Sequence, residues 1–321
     1  MKVVRLIGGV VAVALIILVG LILATRAGAF NTRYKDMVAE FASPPSYFMT
    51  VDGVKVHVLD EGAGPPVLML HSSMSNLHIW DAWADELKKN HRVVRIDWPP
   101  YGLTVDNTGK AGMPHAETIV AGVVDQLKLN PFVLVGSSSG ATLSVLYTAA
   151  HPDKVRALAL STLPLKAPPN SKVEPVIQAW GWAHAKLFPN YYPRSYWRSF
   201  LKTLYGDPSR ITDAQVKMFA DTNNLEGGYD RVNVYYRSNV KGVWTQGAGS
   251  YADKITVPIL LQWGDRDPVL PPYLAAQAVA NFRNAKVTVI HYPQGHYPML
   301  ENPGPTIKDL KAFIDGLPPA P

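Results

Sequence analysis

Short apolar runs alternate with amphipathic stretches along most of this chain, a pattern that predicts strands separated by helices. Tyr47–Val51 and Val54–Asp60 flank Asp52-Gly53, a pair that favours a tight hairpin. Further runs at Val67–Leu70, Arg92–Ile96, Phe132–Val135, Val155–Leu160, Val257–Trp263 and Lys286–Ile290 read as strands. Several are almost continuously apolar, as a strand buried on both faces requires. Between them, His78–Asn90 puts Ile79, Trp83 and Leu87 on one helical face, with Asp81, Asp85, Lys88 and Lys89 outside. Ala116–Leu127 and Ala141–Ala150 are further predicted helices. The alternation predicts an α/β fold: a mostly parallel central sheet with helices on both faces.

Two segments depart from it. Leu6–Ala24 is apolar without interruption, behind Lys2 and Arg5. As a helix it spans roughly 28 Å at ~1.5 Å per residue, close to the hydrocarbon thickness of a bilayer. A cleaved signal peptide is the rival, since Ala27-Gly28-Ala29 offers a small-x-small site. The run is nevertheless longer than the ~7–15 residue core of such peptides, and residues 1–30 are therefore expected to be a single-pass membrane anchor. Basic residues flank both ends (Arg26, Arg33 and Lys35 beyond it), so charge hardly sets the topology; a long folded domain can be translocated regardless, and the rest of the chain is expected outside the cytoplasm. Residues 31–46 read as a tether or short helix closed by Ser43-Pro44-Pro45. The second departure lies between Leu163 and Thr256, where strands give way to helical patterns around Val173–Phe188, Ser195–Leu204 and Asp213–Phe219 and to dense aromatics.

The chemistry is concentrated in Gly136-Ser137-Ser138-Ser139-Gly140, set between the strand ending at Val135 and the helix beginning near Ala141. A G-x-S-x-G in that context forces a sharp turn that lifts the central hydroxyl clear of the sheet, and its glycines permit the close backbone packing such a turn needs. Ser138 is the candidate nucleophile. A serine hydroxyl needs a base, and the base an orienting acid. Downstream, one strand runs into Gly264-Asp265-Arg266-Asp267 and another into Gln294-Gly295-His296. Ligands of open α/β sheets collect beyond the carboxyl ends of strands, so Ser138, Asp267 and His296 can converge there. Asp265 competes with Asp267 for the acid role. Asp97 is expected to hydrogen-bond within its own turn; His78, His115, His151, His184 and His291 have no motif, and Glu301 reads as a helix-start residue.

With these residues in view, the chain resembles the α/β-hydrolase superfamily from about Tyr47 to about Leu317. The matching pieces are Leu68-Met69-Leu70-His71-Ser72-Ser73, Asp97-Trp98-Pro99-Pro100-Tyr101-Gly102, the turn at Ser138, Gly264-Asp265-Arg266-Asp267 and Gly295-His296-Tyr297-Pro298. The resemblance implies an α/β-hydrolase fold with Ser138 as nucleophile, Asp267 as acid and His296 as general base. It also implies an oxyanion hole made by the backbone N–H groups of Ser73 and Ser139, and a helical cap at residues 164–256 inserted between core segments 31–163 and 257–321. His71-Ser72 and Pro99-Pro100 stand where the family usually has His-Gly and Pro-Gly; neither departure removes a catalytic side chain.

Composition narrows the function further. The net charge of +6 is scattered along the chain without a dense basic run, so nucleic acid is not an expected partner. There is no cysteine, H-E-x-x-H or calcium-loop cluster, and no glycine pattern for a dinucleotide, so neither metal nor cofactor is expected. An aromatic cap would line an apolar pocket. The expectation is a serine hydrolase of carboxylic esters acting on a small apolar or acyl substrate through an acyl-enzyme. Carbon–carbon bond hydrolysis and perhydrolysis could use the same triad, and a non-catalytic binding protein on a hydrolase scaffold is the alternative of another class.

Overall fold

The computed structural model describes residues 2–165, 181, 186–188, 190–239 and 247–318. Strands β1 (Ser46–Val51), β2 (Val54–Glu61), β3 (Pro66–Leu70), β4 (Arg92–Ile96), β5 (Phe132–Ser137), β6 (Val155–Ser161), β7 (Ile259–Gly264) and β8 (Val287–Tyr292) form one sheet, in the order β1-β2-β4-β3-β5-β6-β7-β8. The first hairpin is antiparallel and turns on Asp52 and Gly53, both with positive φ. β2 is also antiparallel to β4, and every later pairing is parallel.

Side chains alternate across each strand, and the sheet separates two cores. Leu68 and Leu70 of β3 and Leu134 of β5 face one side, with Ile119 and Val123 of α4 (Met113–Leu127) and Leu143 and Tyr147 of α5 (Ser139–Ala150). Val67, Met69, Val133 and Val135 face the other, with Trp83 and Leu87 of α3 (Asp81–Leu87) and Leu310 and Ile314 of α11 (Pro303–Asp315). Each such aliphatic side chain contributes about 1.5–3 kcal/mol by leaving water, which explains the continuous apolar runs of the central strands.

Some boundaries differ from those the periodicity predicts. α4 starts at Met113 and carries Pro114 in its first turn, a position that needs no amide donor. The predicted helix over 78–90 is a 3₁₀ turn at Leu77–Trp80, capped by the Asn76 side chain, followed by the shorter α3. The tether holds α2 (Tyr34–Phe41), whose Met37 is buried with Leu103 and Leu225.

α1 (Lys2–Arg26) leaves its apolar side chains exposed and, among the described residues, is the one helix long and apolar enough to cross a membrane. Its end joins the body: Arg26 donates to the Lys186 carbonyl, Phe30 packs on Tyr191, and Thr32 bridges Leu225. Within 164–256 the structure shows α6 (Arg194–Lys202), α7 (Asp213–Asn223) and α8 (Gly228–Asn239). Most of the Val173–Phe188 pattern lies outside the described residues. The short α9 (Tyr273–Asn281) and α10 (Pro298–Glu301) complete the fold.

Three glycines let separate segments meet at the carboxyl edge. A Cβ on Gly264 would lie 1.9 Å from the Gly295 carbonyl oxygen, one on Gly295 2.2 Å from that of Leu204, and one on Gly206 2.8 Å from the Gln294 backbone. Overpacking typically costs about 1–3 kcal/mol, and here the obstacle is backbone, which cannot swing aside. Gly264→Ala should therefore destabilise the protein by at least the upper part of that range. Chemical denaturation checks this; a midpoint equal to wild type would mean the three segments are not held as tightly as described.

Candidate active site

The turn after β5 is strained. Ser138 has φ +50° and ψ −117°, a conformation that non-glycine residues rarely adopt. It is held by its own N–H, which donates to the Ser161 carbonyl of β6 at 2.9 Å, and by the start of α5, where the Thr142 N–H donates to the Ser138 carbonyl. Gly140 passes so close to β3 that a Cβ there would lie 2.3 Å from the Leu70 carbonyl oxygen and 2.4 Å from that of His71. Ser137 and Ser139 are buried while Ser138 is partly exposed.

The three strand-end residues converge. His296 Nε2 lies 3.1 Å from Ser138 Oγ, and His296 Nδ1 lies 2.7 Å from Asp267 Oδ2. A carboxylate only accepts, so Nδ1 carries the proton and Nε2 is left to accept from the serine hydroxyl. The other Asp267 oxygen accepts the N–H groups of Val269 and Leu270 at 2.8 and 2.9 Å, which fixes the carboxylate. Asp265 lies elsewhere: it is exposed and pairs with His291 at 2.8 Å.

The loop carrying His296 is anchored by a residue the sequence marked only as a helix start. Glu301 is buried, and its carboxylate accepts the N–H groups of Gly206 and Gly295 at 2.9 Å and of Asp207 at 2.8 Å. The His296 N–H donates to the Leu204 carbonyl at 2.6 Å. The histidine loop is thus bound to the 204–207 turn leading out of α6.

The loop carrying Ser72 and Ser73 holds a second feature invisible to the sequence pattern. The Ser73 N–H donates to Ser139 Oγ at 2.6 Å, and Ser73 Oγ donates to the same oxygen at 2.8 Å. That amide is engaged by the hydroxyl of its partner residue instead of facing an open position. Ser72 also finds partners: its hydroxyl lies 2.8 Å from Tyr297 Oη and 3.1 Å from Ser75 Oγ. This loop is thereby joined to the residue after His296.

Behind it lies a buried polar cluster. Asp97 accepts from His57 Nδ1, the Leu77 N–H and the Leu103 N–H, each at 2.7 Å, and His57 Nε2 lies 2.5 Å from Ser46 Oγ. This repeats a Ser–His–Asp order, but Ser46 starts edge strand β1 instead of standing on a turn at the carboxyl edge, and the set stitches β1, β2 and the loop after β4 together. Burial holds His71 below its ordinary value of 6.5, against the pull of Asp97. Burial also works against the Asp97 charge, yet His57, His71 and the Leu103 N–H outweigh it and hold that carboxyl below 3.8. Three of the other histidines pair with carboxylates, His78 with Asp81, His115 with Asp106 and His151 with Glu117; His184 lies outside the described residues. Among the described residues no group of three or more His, Asp and Glu is arranged to hold a metal.

Comparison with known proteins agrees with this architecture. Residues 65–303 match the alpha/beta hydrolase fold family, and the chain belongs to that family. It is 33% identical over 112 residues to 2-hydroxy-6-oxo-2,4-heptadienoate hydrolase of Pseudomonas putida, which covers 34% of this chain and 41% of that enzyme. The chain thus spans about two-fifths of that relative's length. It is 25% identical to monoacylglycerol lipase ABHD6 of Homo sapiens over 79% of this chain and 76% of the lipase. Among solved structures, a membrane phospholipase A superposes with a TM-score of 0.71 at 21% identity, over 99% of this chain and 98% of the other.

Folding linked to His71 and Asp97 has a definite sign. Both have folded pKa values below their unfolded ones, so the stability they provide is present above the unfolded pKa and is lost on acidification. The loss begins as pH drops below 6.5 for His71 and adds a second contribution below 3.8 for Asp97. His78, raised by Asp81 against burial, acts in the opposite sense, so the test is a difference. Thermal melts of His71→Asn should fall less steeply with pH below 6.5 than those of wild type; parallel slopes would remove His71 as a cause.

Proposed function

We propose that the protein is a carboxylic ester hydrolase in which Ser138 is the nucleophile, His296 the general base and Asp267 the orienting acid. The observation that carries this reading is the hydrogen-bonded chain from Ser138 through His296 to Asp267, set on a strained turn. His296 Nε2 takes the hydroxyl proton as Ser138 Oγ attacks the ester carbonyl, and Asp267 stabilises the imidazolium that results. The tetrahedral oxyanion falls to the N–H groups of Ser73 and Ser139, each worth on the order of 3 kcal/mol in such sites. For that, Ser139 Oγ must turn away from the Ser73 amide. His296 then protonates the leaving alcohol, the C–O bond breaks, and the acyl-enzyme is hydrolysed by water that His296 deprotonates.

Residues 164–256 are read as a cap over this site, between core segments 31–163 and 257–321. Support comes from α7, where Asn223 donates to the Met74 carbonyl, and from α8, where Tyr235 packs on Trp98 and Tyr101. An apolar or acyl substrate suits the aromatic content of that segment, and monoacylglycerol lipase is an ester-cleaving relative over most of the chain. Carbon–carbon bond hydrolysis is the second reading, favoured by the 33% identity to the heptadienoate hydrolase. A panel of p-nitrophenyl esters separates the two. Wild type should turn over esters and take a fluorophosphonate label; Ser138→Ala should do neither, and Asp267→Asn should lose roughly 10⁴ in turnover. Labelling without turnover of any ester would leave the triad and remove the ester reading. An alanine variant that still hydrolyses esters would remove the triad.

Residues 1–30 are read as a membrane anchor holding the catalytic domain outside the cytoplasm. The attachment of Arg26 to Lys186 and Asn190 supports retention of α1, because cleavage near Ala29 would detach Arg26 from the chain it contacts. The full chain should stay in the membrane pellet after carbonate extraction, and a chain beginning at Asn31 should not. Recovery of a mature N-terminus at Phe30 would identify a signal peptide instead.

A further inference from the structure

A cavity of about 320 Å³ lies between α8 and the loop that follows β4, and Ser73, Ser138, Asp267 and His296 are not among the residues that line it. Its volume is at the low end of the ~300–1,000 Å³ of small-molecule sites. Pro99, Pro100, Val234 and Tyr235 give it an apolar wall, Arg231 reaches it from the first turn of α8, and Lys110 stands on the opposite loop.

Arg231 is the unusual group. Its Nε is buried with no hydrogen-bond partner, and burial pulls its pKa below the ordinary arginine range. The acids that act on it, Asp106 and Glu226, do so only through space, and both are committed elsewhere. Asp106 accepts from His115 Nε2 at 2.7 Å and from Thr108, and Glu226 accepts the Tyr34 N–H at 2.9 Å. Arg231 is half-buried, and leaving its Nε–H out of water without a partner is costly; an anion in the adjoining space would relieve that cost. The acids around the cavity favour a single negative charge over a phosphate dianion. The planar fork of arginine matches a carboxylate through two parallel hydrogen bonds, and the proline, valine and tyrosine surface suits an apolar body attached to it.

We propose that this cavity is a binding site for small organic monocarboxylates, with Arg231 gripping the carboxylate and the apolar wall taking the hydrocarbon. Its far side backs onto the oxyanion loop, since Tyr235 packs on Trp98 and the Trp98 indole donates to the His71 carbonyl at 2.7 Å. The proposal does not depend on the role of Ser138.

Isothermal titration of the full chain with hexanoate tests it, with hexanamide as the uncharged ligand of equal length. Wild type should bind hexanoate and bind hexanamide at least tenfold more weakly. Arg231→Gln should raise the hexanoate Kd by about tenfold or more, which is about 1.4 kcal/mol, and Arg231→Lys should fall between. An undiminished melting temperature in Arg231→Gln would show that the loss is one of binding and not of folding. No hexanoate binding to wild type, equal affinity for the amide, or full affinity in a folded Arg231→Gln would each overturn the proposal. Ester turnover is not the readout, so this site and the catalytic reading stand or fall separately.

Discussion

The positive φ of Ser138 is the constraint on which the rest of the site depends. A residue held there costs of order 1–3 kcal/mol and persists only when its surroundings leave it no alternative. Those surroundings are β3, β5 and β6 in adjacent register, with α5 packed so closely on β3 that only glycine fits at position 140. The sheet is therefore more than a support: its strand spacing is what keeps the hydroxyl raised. The same edge brings the acid-bearing and histidine-bearing loops within hydrogen-bond reach.

Those two loops are positioned differently. Asp267 is fixed locally, by amides two and three residues further along its own turn. His296 is fixed remotely, through Glu301, Leu204 and Tyr297, so its place depends on the 204–207 turn and on the loop carrying Ser72. A disturbance in the segment containing α6 can thus reach the imidazole without touching it.

Much of this was legible in the sequence because it is local. The apolar runs located the eight strands to within a residue or two, and the turn around Ser138 announced itself through glycine spacing and a flanking strand and helix. The helix after it begins at Ser139, earlier than periodicity indicated, because small polar residues carry no apolar signal. The break of the 78–90 helix into a 3₁₀ turn and α3 follows from Asn76, whose capping role competes with hydrophobic spacing. What could not be read is what depends on contacts between distant segments. Nothing in the sequence around Glu301 says that three amides from two loops will meet its carboxylate. Nor does Ser139 reveal that its hydroxyl will face an amide 66 residues earlier. Ser72 finds its partners in Tyr297 and Ser75, a match visible only once the loops are placed.

The hydroxyl of Ser139 resting on the Ser73 amide changes how such a hole would discriminate. For a site read as an oxyanion hole, a carbonyl arriving there exchanges one acceptor for another instead of filling an empty place. A neutral ester oxygen and a serine hydroxyl accept hydrogen bonds of similar strength, so the exchange gains little while the substrate is still intact. An alkoxide is a far stronger acceptor, and the balance tips only as negative charge develops. The internal occupant thus subtracts from ground-state affinity and leaves most of the donor's strength for the moment of bond formation. When the charge collapses, the same hydroxyl can return and displace the neutral oxygen. The hole would then select for the basicity of its occupant more than for its shape.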